Sequence, residues 1–252
     1  MVLQLTRDEF LSEYFDYRPG EHLSAIAPTG AGKSHICYQL AQVALDQNPQ
    51  LDFCSLMPKP TSPTTERWAA ALGLAETPSW PPHRHWWKDP PRGHVLWPPH
   101  RRDVTVSENR DQVAAKFRKA LTAMYWSGNT ICFADDVYVL AALMGLNPEC
   151  EEWWTAGREG GAGLWSANQK PSGTLGGGSV SSFAYNAPSH LLLGKDTDQR
   201  NVRRFGEIGG GIDPREIEAI VRNLRLFRIG GETVSELLYL DKRGPYMALI
   251  GP

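Results

Sequence analysis

A chain of 252 residues that is 41% hydrophobic, with net charge −2 and pI about 6.4, has apolar material for one sizeable core and too little positive charge to coat nucleic acid as a polycation. No apolar run reaches the roughly 18 residues of a membrane span, and the opening "MVLQLTRDEFLSEYF" turns acidic too soon for a signal peptide, which predicts a soluble, cytoplasmic protein with no membrane segment. The four cysteines, Cys37, Cys54, Cys132 and Cys150, are widely spaced and two fall in predicted strands, so they read as small core residues in a reducing compartment.

In chain order, "TRDEFLSEYF" offers an N-cap at Thr6, Asp8 and Glu9 in the first turn, and apolar Phe10, Leu11, Tyr14 and Phe15, predicting a short helix before a first strand over 22–27. "SAIAPTGAGKSHICYQL" is a strand, a glycine-rich turn and an amphipathic helix. "LDFCSLM" is a second strand stopped by "PKPTSP", and "TTERWAAALGLA" a short helix ending near Gly73. A Pro-, Trp- and His-rich insert at about 77–102 contains one plausible strand, "GHVLW". "SENRDQVAAKFRKALTAMYW" is the best helix, with Ser107 as its cap, Arg110 where a capping box wants Glu, and Val113, Phe117, Leu121 and Met124 on one face. "NTICFADD" is a buried strand ending in two carboxylates. "DVYVLAALMGLNPECEEWWTAGREGG" reads as helix, break, helix. "GLWSANQKP" and "SHLLLGKD" are strands on either side of "SGTLGGGS", "DPREIEAIVRNL" is a helix with Pro214 in its first turn, and "SELLYLDKRGPYMALI" is a hairpin around Lys242-Arg243-Gly244. The alternation predicts one α/β domain over 1–252, its sheet mainly parallel, helices on both faces, and its ligand site at the carboxyl ends of the strands.

The turn from Pro28 through Thr29, Gly30, Ala31, Gly32, Lys33 and Ser34 to His35 sets consecutive backbone N–H groups in a concave loop at a helix N-terminus, a geometry that binds phosphate. Gly30 and Gly32 can adopt positive φ, Lys33 supplies a charge for the β and γ phosphates, and Ser34 offers a hydroxyl to Mg²⁺. The string is a Walker A motif with Ala27 in place of its first glycine, and it predicts a nucleoside triphosphate such as ATP as ligand. In "TICFADD", Asp135 is placed to hold Mg²⁺ and Asp136 to deprotonate an attacking water. The same two acids would also cap the helix that follows, and both roles can hold together. About 100 residues separate the two motifs, room for an additional strand between the P-loop strand and the carboxylate strand. Gln169, after "GLWSAN", is positioned to sense a γ-phosphate through water.

Between 83 and 102 stand five Lys/Arg against one Asp, four histidines, and Trp86, Trp87 and Trp97, with Trp80 just before. That composition suits a platform on which single-stranded bases stack, and equally a proline-ordered loop whose tryptophans seal the sheet edge. A metal site at His83-x-His85 with His94 or His100 lacks a carboxylate or thiol at firm spacing. The loop 172–182 would line a pore or simply be flexible.

Lys33, Asp135 with Asp136, Gln169 and "GREGGAGLWSANQKPSG" together resemble the FtsK/HerA superfamily of DNA-pumping ATPases, in particular the small members encoded by phages and mobile elements. There a Gly-Arg segment leads into a strand ending in Gln-Arg-Pro, and here Gln169-Lys170-Pro171 stands in that place. "HLLLGKDTDQRNVRRF" resembles the family's strand followed by Asp-x-Arg, with Asp198 and Arg200 at the matching positions. The resemblance runs from about residue 20 to about residue 230, and its most specific part is the P-loop. It implies a RecA-like core with a C-terminal β-hairpin, Mg²⁺-dependent ATP hydrolysis, a homo-oligomeric ring and DNA as the track. It also implies an arginine reaching the neighbouring subunit's phosphates: Arg200 best fits, with Arg158, Arg203 and Arg204 as other candidates and Lys59 a weaker one. Where the family usually has Asp-Glu this chain has Asp135-Asp136, whose shorter second carboxylate bears on the rate. Two other functions fit the P-loop: a kinase or phosphotransferase acting on a small molecule, and a nucleotide-gated interaction protein with slow turnover.

Overall fold

The structure is a computed structural model that describes residues 2–82, 91–171, 180–229, 232–244 and 246–252. It opens on a strand not expected from the sequence, β1 (Val2–Leu5), and then a single turn, α1 (Arg7–Glu9), closed by a capping box. Thr6 Oγ1 accepts from the Glu9 N–H at 3.2 Å, and the Glu9 carboxylate accepts from the Thr6 N–H at 2.8 Å. A π-helical turn, Phe10–Tyr14, completes this segment. The P-loop strand β2 (Leu23–Ile26) and α2 (Lys33–Gln47) follow, then β3 (Asp52–Leu56), α3 (Pro63–Leu72), β4 (Ala75–Thr77) and β5 (His94–Leu96).

The long helix α4 (Val106–Ser127) begins earlier than expected. Its cap is Thr105, whose hydroxyl and Glu108 form a complete capping box, so the Glu that Ser107 lacked at its third position is found by starting two residues upstream. Next come β6 (Thr130–Ala134), a π-helical segment Tyr138–Leu143, α5 (Asn147–Ala156), a 3₁₀ turn Gly157–Gly160 and β7 (Ala162–Asn168). The last part holds α6 (Phe183–Asn186), β8 (His190–Gly194), α7 (Gln199–Ile208), α8 (Pro214–Asn223), a small hairpin of β9 (Leu226–Ile229) and β10 (Glu232–Ser235), and the predicted hairpin of β11 (Leu237–Asp241) and β12 (Tyr246–Ile250).

Ten strands form one sheet in the order β1-β12-β11-β8-β2-β7-β6-β3-β5-β4, parallel throughout except that β11 runs antiparallel to both neighbours. A strand does lie between β2 and β6, but it is β7, which follows the carboxylates in sequence. The strands that occupy the 100-residue interval, β3, β4 and β5, lie beyond β6. Interval length alone carries no information about which side of β6 a returning strand takes.

Side chains alternate across the sheet and feed two cores. Ile131, Phe133 and Trp165 join Phe10, Ile36 and Tyr38 on the α2 face, while Cys132, Ala134 and Leu164 join Phe117, Trp153 and Phe205 on the α4 and α7 face. Cys54 and Cys132 stand opposite each other across β3 and β6, and all four cysteines are buried and free. Burial pushes the Cys54 thiol up to about 12, so it behaves as a small apolar group. Among the described residues, no helix is long and apolar enough to cross a membrane.

At the amino ends of the central strands a buried polar clasp ties β2, β8 and the β11–β12 hairpin together. Glu21 accepts from Arg243 Nη1 at 3.0 Å and contacts His190 Nε2 at 3.0 Å, and Arg243 Nη2 reaches Asp241 at 2.6 Å. His190 Nδ1 and Tyr239 Oη lie 2.7 Å apart. With the charges satisfied on this edge, the opposite, carboxyl edge is where open chemistry is found.

Candidate active site

β2 is buried on both faces and delivers the chain to the carboxyl edge, where Ala27 N–H donates to the Asn168 carbonyl of β7 at 3.1 Å. Beneath the turn, Asn168 Nδ2 donates to Ser24 Oγ at 2.9 Å and to Ser166 Oγ at 3.1 Å, pinning β2 to β7. Gly30 and Gly32 both have φ of +83°, and a Cβ at either would meet nothing within 4 Å. The turn needs them for its backbone conformation, not because of crowding. Gly32 is the N-cap of α2 and supplies no side chain, so the first N–H groups of the helix open outward unbonded by a cap.

Lys33 folds back on its own loop, Nζ donating to the carbonyls of Ala27 at 2.6 Å and Pro28 at 2.9 Å. Burial holds its ammonium below the ordinary lysine range, against the opposing pull of Asp135. Ser34 Oγ donates to Asp135 Oδ1, so the hydroxyl of the P-loop helix and the carboxylate at the end of β6 meet directly. Lys59, past β3, stands 3.7 Å from the other oxygen of the nearly buried Asp135. Asp136 Oδ1 accepts from Val139 N–H at 3.2 Å, capping the π-helical segment, while burial pushes its carboxyl above the usual range. It therefore caps and lines the site at once.

These groups surround one cleft of about 640 Å³, lined by Thr29, Gly30, Gly32, Lys33, Ser34 and His35 on the loop side and by Lys59, Asp135, Asp136 and Gln169 on the other. His35 is steadied by Trp68, whose Nε1 donates to its Nδ1 at 3.2 Å. Pro28 and Ala31 shape the loop: Ala31 N–H donates to the Pro28 carbonyl at 3.3 Å. Five further residues that sequence reading missed complete the wall: Arg7, Thr64, Arg67, Ala167 and Val234. Thr64 and Arg67 are three apart on α3, a spacing that puts them on one helix face and was legible. Arg7 and Val234 depend on β1 and on the β9–β10 hairpin, neither of which was expected. Arg7, Lys33, Lys59 and Arg67 outnumber Asp135 and Asp136, so the cleft suits an anion. A hydroxyl beside a carboxylate is the hard oxygen donor set that Mg²⁺ takes together with phosphate oxygens, so Ser34 and Asp135 fit that ion.

Arg200 is not in this cleft. It lies exposed in the first turn of α7, where Asp198 caps the helix by accepting from the N–H groups of Arg200 at 2.8 Å and Asn201 at 3.4 Å. Arg203 and Arg204 pair with Glu207. Arg158 precedes β7 on the opposite edge of the sheet, 3.8 Å from Glu21, too far from the cleft to act within the chain. Trp80 packs edge-on against His94 with centroids 5.7 Å apart, and Trp97 Nε1 donates to the Lys59 carbonyl at 2.8 Å, so both tryptophans are held against the chain around β5. Residues 83–90, which hold His83, His85, Trp86 and Trp87, and most of the loop 172–182 lie outside the described residues. Among the described residues no cluster of His, Cys, Asp or Glu is arranged to hold a metal by itself.

No protein-family model and no curated sequence matches the chain. Solved structures do. The genome packaging NTPase B204 from Sulfolobus turreted icosahedral virus 2, in complex with AMPPCP, aligns with a TM-score of 0.61 at 14% identity, over 93% of this chain and 98% of that one. Its complex with ATP-γ-S gives a TM-score of 0.59 at 12% identity over 94% and 99%. The pCW3 conjugation coupling protein TcpA, in its monomer form with ATP-γ-S, gives 0.51 at 13% identity over 93% of this chain and 68% of that one. With the strand order β8-β2-β7-β6-β3 around the P-loop and an antiparallel hairpin at the C-terminus, the chain has a RecA-like P-loop NTPase fold, similar to that of B204.

Proposed function

We propose that this protein is an Mg²⁺-dependent ATPase that drives DNA translocation or packaging as a ring-shaped motor. The observation that carries the ATPase reading is the meeting of Ser34 and Asp135 beside the uncapped start of α2, with Lys33, Asp136 and Gln169 lining the same cleft.

The α2 N-terminus and Lys33 bind the β and γ phosphates, Lys33 giving up its two carbonyl contacts for phosphate oxygens. Ser34 and Asp135 would hold Mg²⁺ together with the nucleotide, and the ion would supply neutralisation of the charge developing on the phosphates. Asp136 accepts a proton from the attacking water as its oxygen bonds to the γ-phosphorus and the bond to the ADP oxygen breaks, giving ADP and phosphate. Burial favours protonated Asp136, which suits an acceptor that must hold the proton until release. Gln169 orients the water by donating and accepting hydrogen bonds. Arg200, exposed on α7 and outside its own cleft, is placed to be offered to a neighbouring subunit, as are Arg158 and Arg203. DNA as the track is supported by B204, a genome packaging NTPase, and by the conjugation coupling protein TcpA.

The test is ATP turnover per subunit across protein concentration, with and without DNA. Turnover rises with both; Lys33→Ala abolishes it, and Arg200→Ala lowers it by about 100-fold or more while ATP still binds. Mixing the two variants restores activity at interfaces where an intact P-loop meets an intact arginine. Full turnover in Lys33→Ala refutes the site. A rate flat across dilution, with no complementation, refutes the ring and favours a monomeric phosphotransferase.

A further inference from the structure

Resting on the nucleotide reading of the cleft, we infer that Arg7 is its base-recognising residue: the guanidinium plane stacks on the nucleobase of ATP, with Val234 supplying an apolar wall. The sheet order says which end of the cleft this is. Gln169, Asp135, Asp136 and Lys59 follow β7, β6 and β3, on one side of β2, and they gather where the terminal phosphate must lie. A nucleotide anchored there extends the other way, over β8 and β11 toward β12 and β1. On that side the wall of the cleft is formed by Arg7, directly after β1, and Val234, on the strand leading into β11. β1 is parallel to β12, and β12 antiparallel to β11, so the end of β1 and the start of β11 both reach the P-loop edge.

Among the described residues, Arg7 has no hydrogen-bond or ion-pair partner for its guanidinium. Its Nε is buried and makes no hydrogen bond, and no carboxylate forms an ion pair with it among the described residues. The charge of the adjacent Asp8 acts on it without forming an ion pair, and Glu9 is held by Thr6 in the capping box, which also fixes where the Arg7 backbone points. A guanidinium desolvated in this way and facing a cleft next to an aliphatic side chain suits a flat π-system better than a hydrated phosphate. The ordering of the N-terminal segment by β1 then has a functional reason: it carries this one side chain into the site.

The experiment is calorimetric titration of the full chain and its variants with ATP, ADP and inorganic tripolyphosphate. Arg7→Ala weakens ATP and ADP binding about tenfold (about 1.4 kcal/mol) and changes tripolyphosphate binding less than about twofold. Arg7→Lys keeps the charge and the aliphatic stem but not the plane, and loses most of the same affinity; it also reports if the alanine variant folds poorly. Equal weakening toward tripolyphosphate makes Arg7 a phosphate ligand and overturns the inference, as do unchanged ATP and ADP affinities or full recovery in Arg7→Lys. If the unmodified protein binds none of the three ligands, the nucleotide reading itself fails, a result distinct from an Arg7 variant that binds like the parent.

Discussion

Lys59→Ala separates two roles for the cation that, among the described residues, pairs with the buried carboxylate of the site. In the structure Lys59 Nζ lies 3.7 Å from Asp135 Oδ2, with the lysine side chain 48% exposed and that of Asp135 only 6%. At that distance and an effective dielectric of about 20 the attraction is about 4 kcal/mol. Solvent screening at a half-exposed ammonium and the entropy of holding its chain reduce the net contribution to about 1 kcal/mol. Removal leaves Asp135 with the Ser34 hydroxyl and, among the described residues, no other ion-pair partner, so the nucleotide-free variant melts about 2–4 °C lower. With Mg²⁺ and ATP-γ-S bound, the divalent ion takes over the compensation and the deficit shrinks to about 1 °C or less. Differential scanning fluorimetry in both states reads this directly. A deficit that persists unchanged with nucleotide means that the ion pair is not exchanged for metal. A deficit that grows with nucleotide means that Lys59 binds phosphate, and either outcome refutes the exchange.

Asp136→Asn is expected to keep nucleotide affinity and lower turnover by about 100-fold or more, because an amide can hold the water but cannot take its proton; turnover within about twofold of the parent would leave Asp136 as a helix cap alone. The ring of His22 is buried, accepts from Leu164 N–H at 3.0 Å through Nδ1 and has no partner at Nε2; burial, with the charge of Arg158 adding to it, pulls it from 6.5 to about 4. The neutral ring therefore contributes stability that is present above about pH 6.5 and lost as pH falls toward 4, about 3 kcal/mol in all, and urea unfolding across that window should show a slope that His22→Gln flattens. An identical slope in the variant would assign the acid lability to other groups.

The parts of the fold that were legible carry strong local chemistry. The P-loop was read from glycines at two positions that require positive φ and a lysine and serine at a helix start, and the structure has just those dihedrals. The β11–β12 hairpin was read from Lys242-Arg243-Gly244 between apolar runs. What was missed is short or held by distant partners. β1 is four residues with one exposed position, and only its pairing with β12, over 240 residues away, makes it a strand. β4 has three residues, and β9 with β10 is a two-stranded ribbon apart from the main sheet. In such elements tertiary pairing decides and propensity does not. Arg7 and Val234 inherited that invisibility, whereas Asp135 and Gln169 directly follow fully buried strands, and Lys33 and Ser34 open the helix that follows another.

The place of β7 explains why these particular side chains can work together. Neighbouring strands lie about 4.8 Å apart, so inserting β7 between β2 and β6 puts the P-loop and the carboxylate pair about 10 Å apart at their bases. Ser34 and Asp135 close that gap at one point by reaching toward each other. Behind that contact, the space above β7 is walled by the P-loop, Asp136 and Gln169, the residue just past the strand's end. The inserted strand thus sets the spacing across the cleft, and the Asn168 bonds to Ser24 and Ser166 fix its width from below.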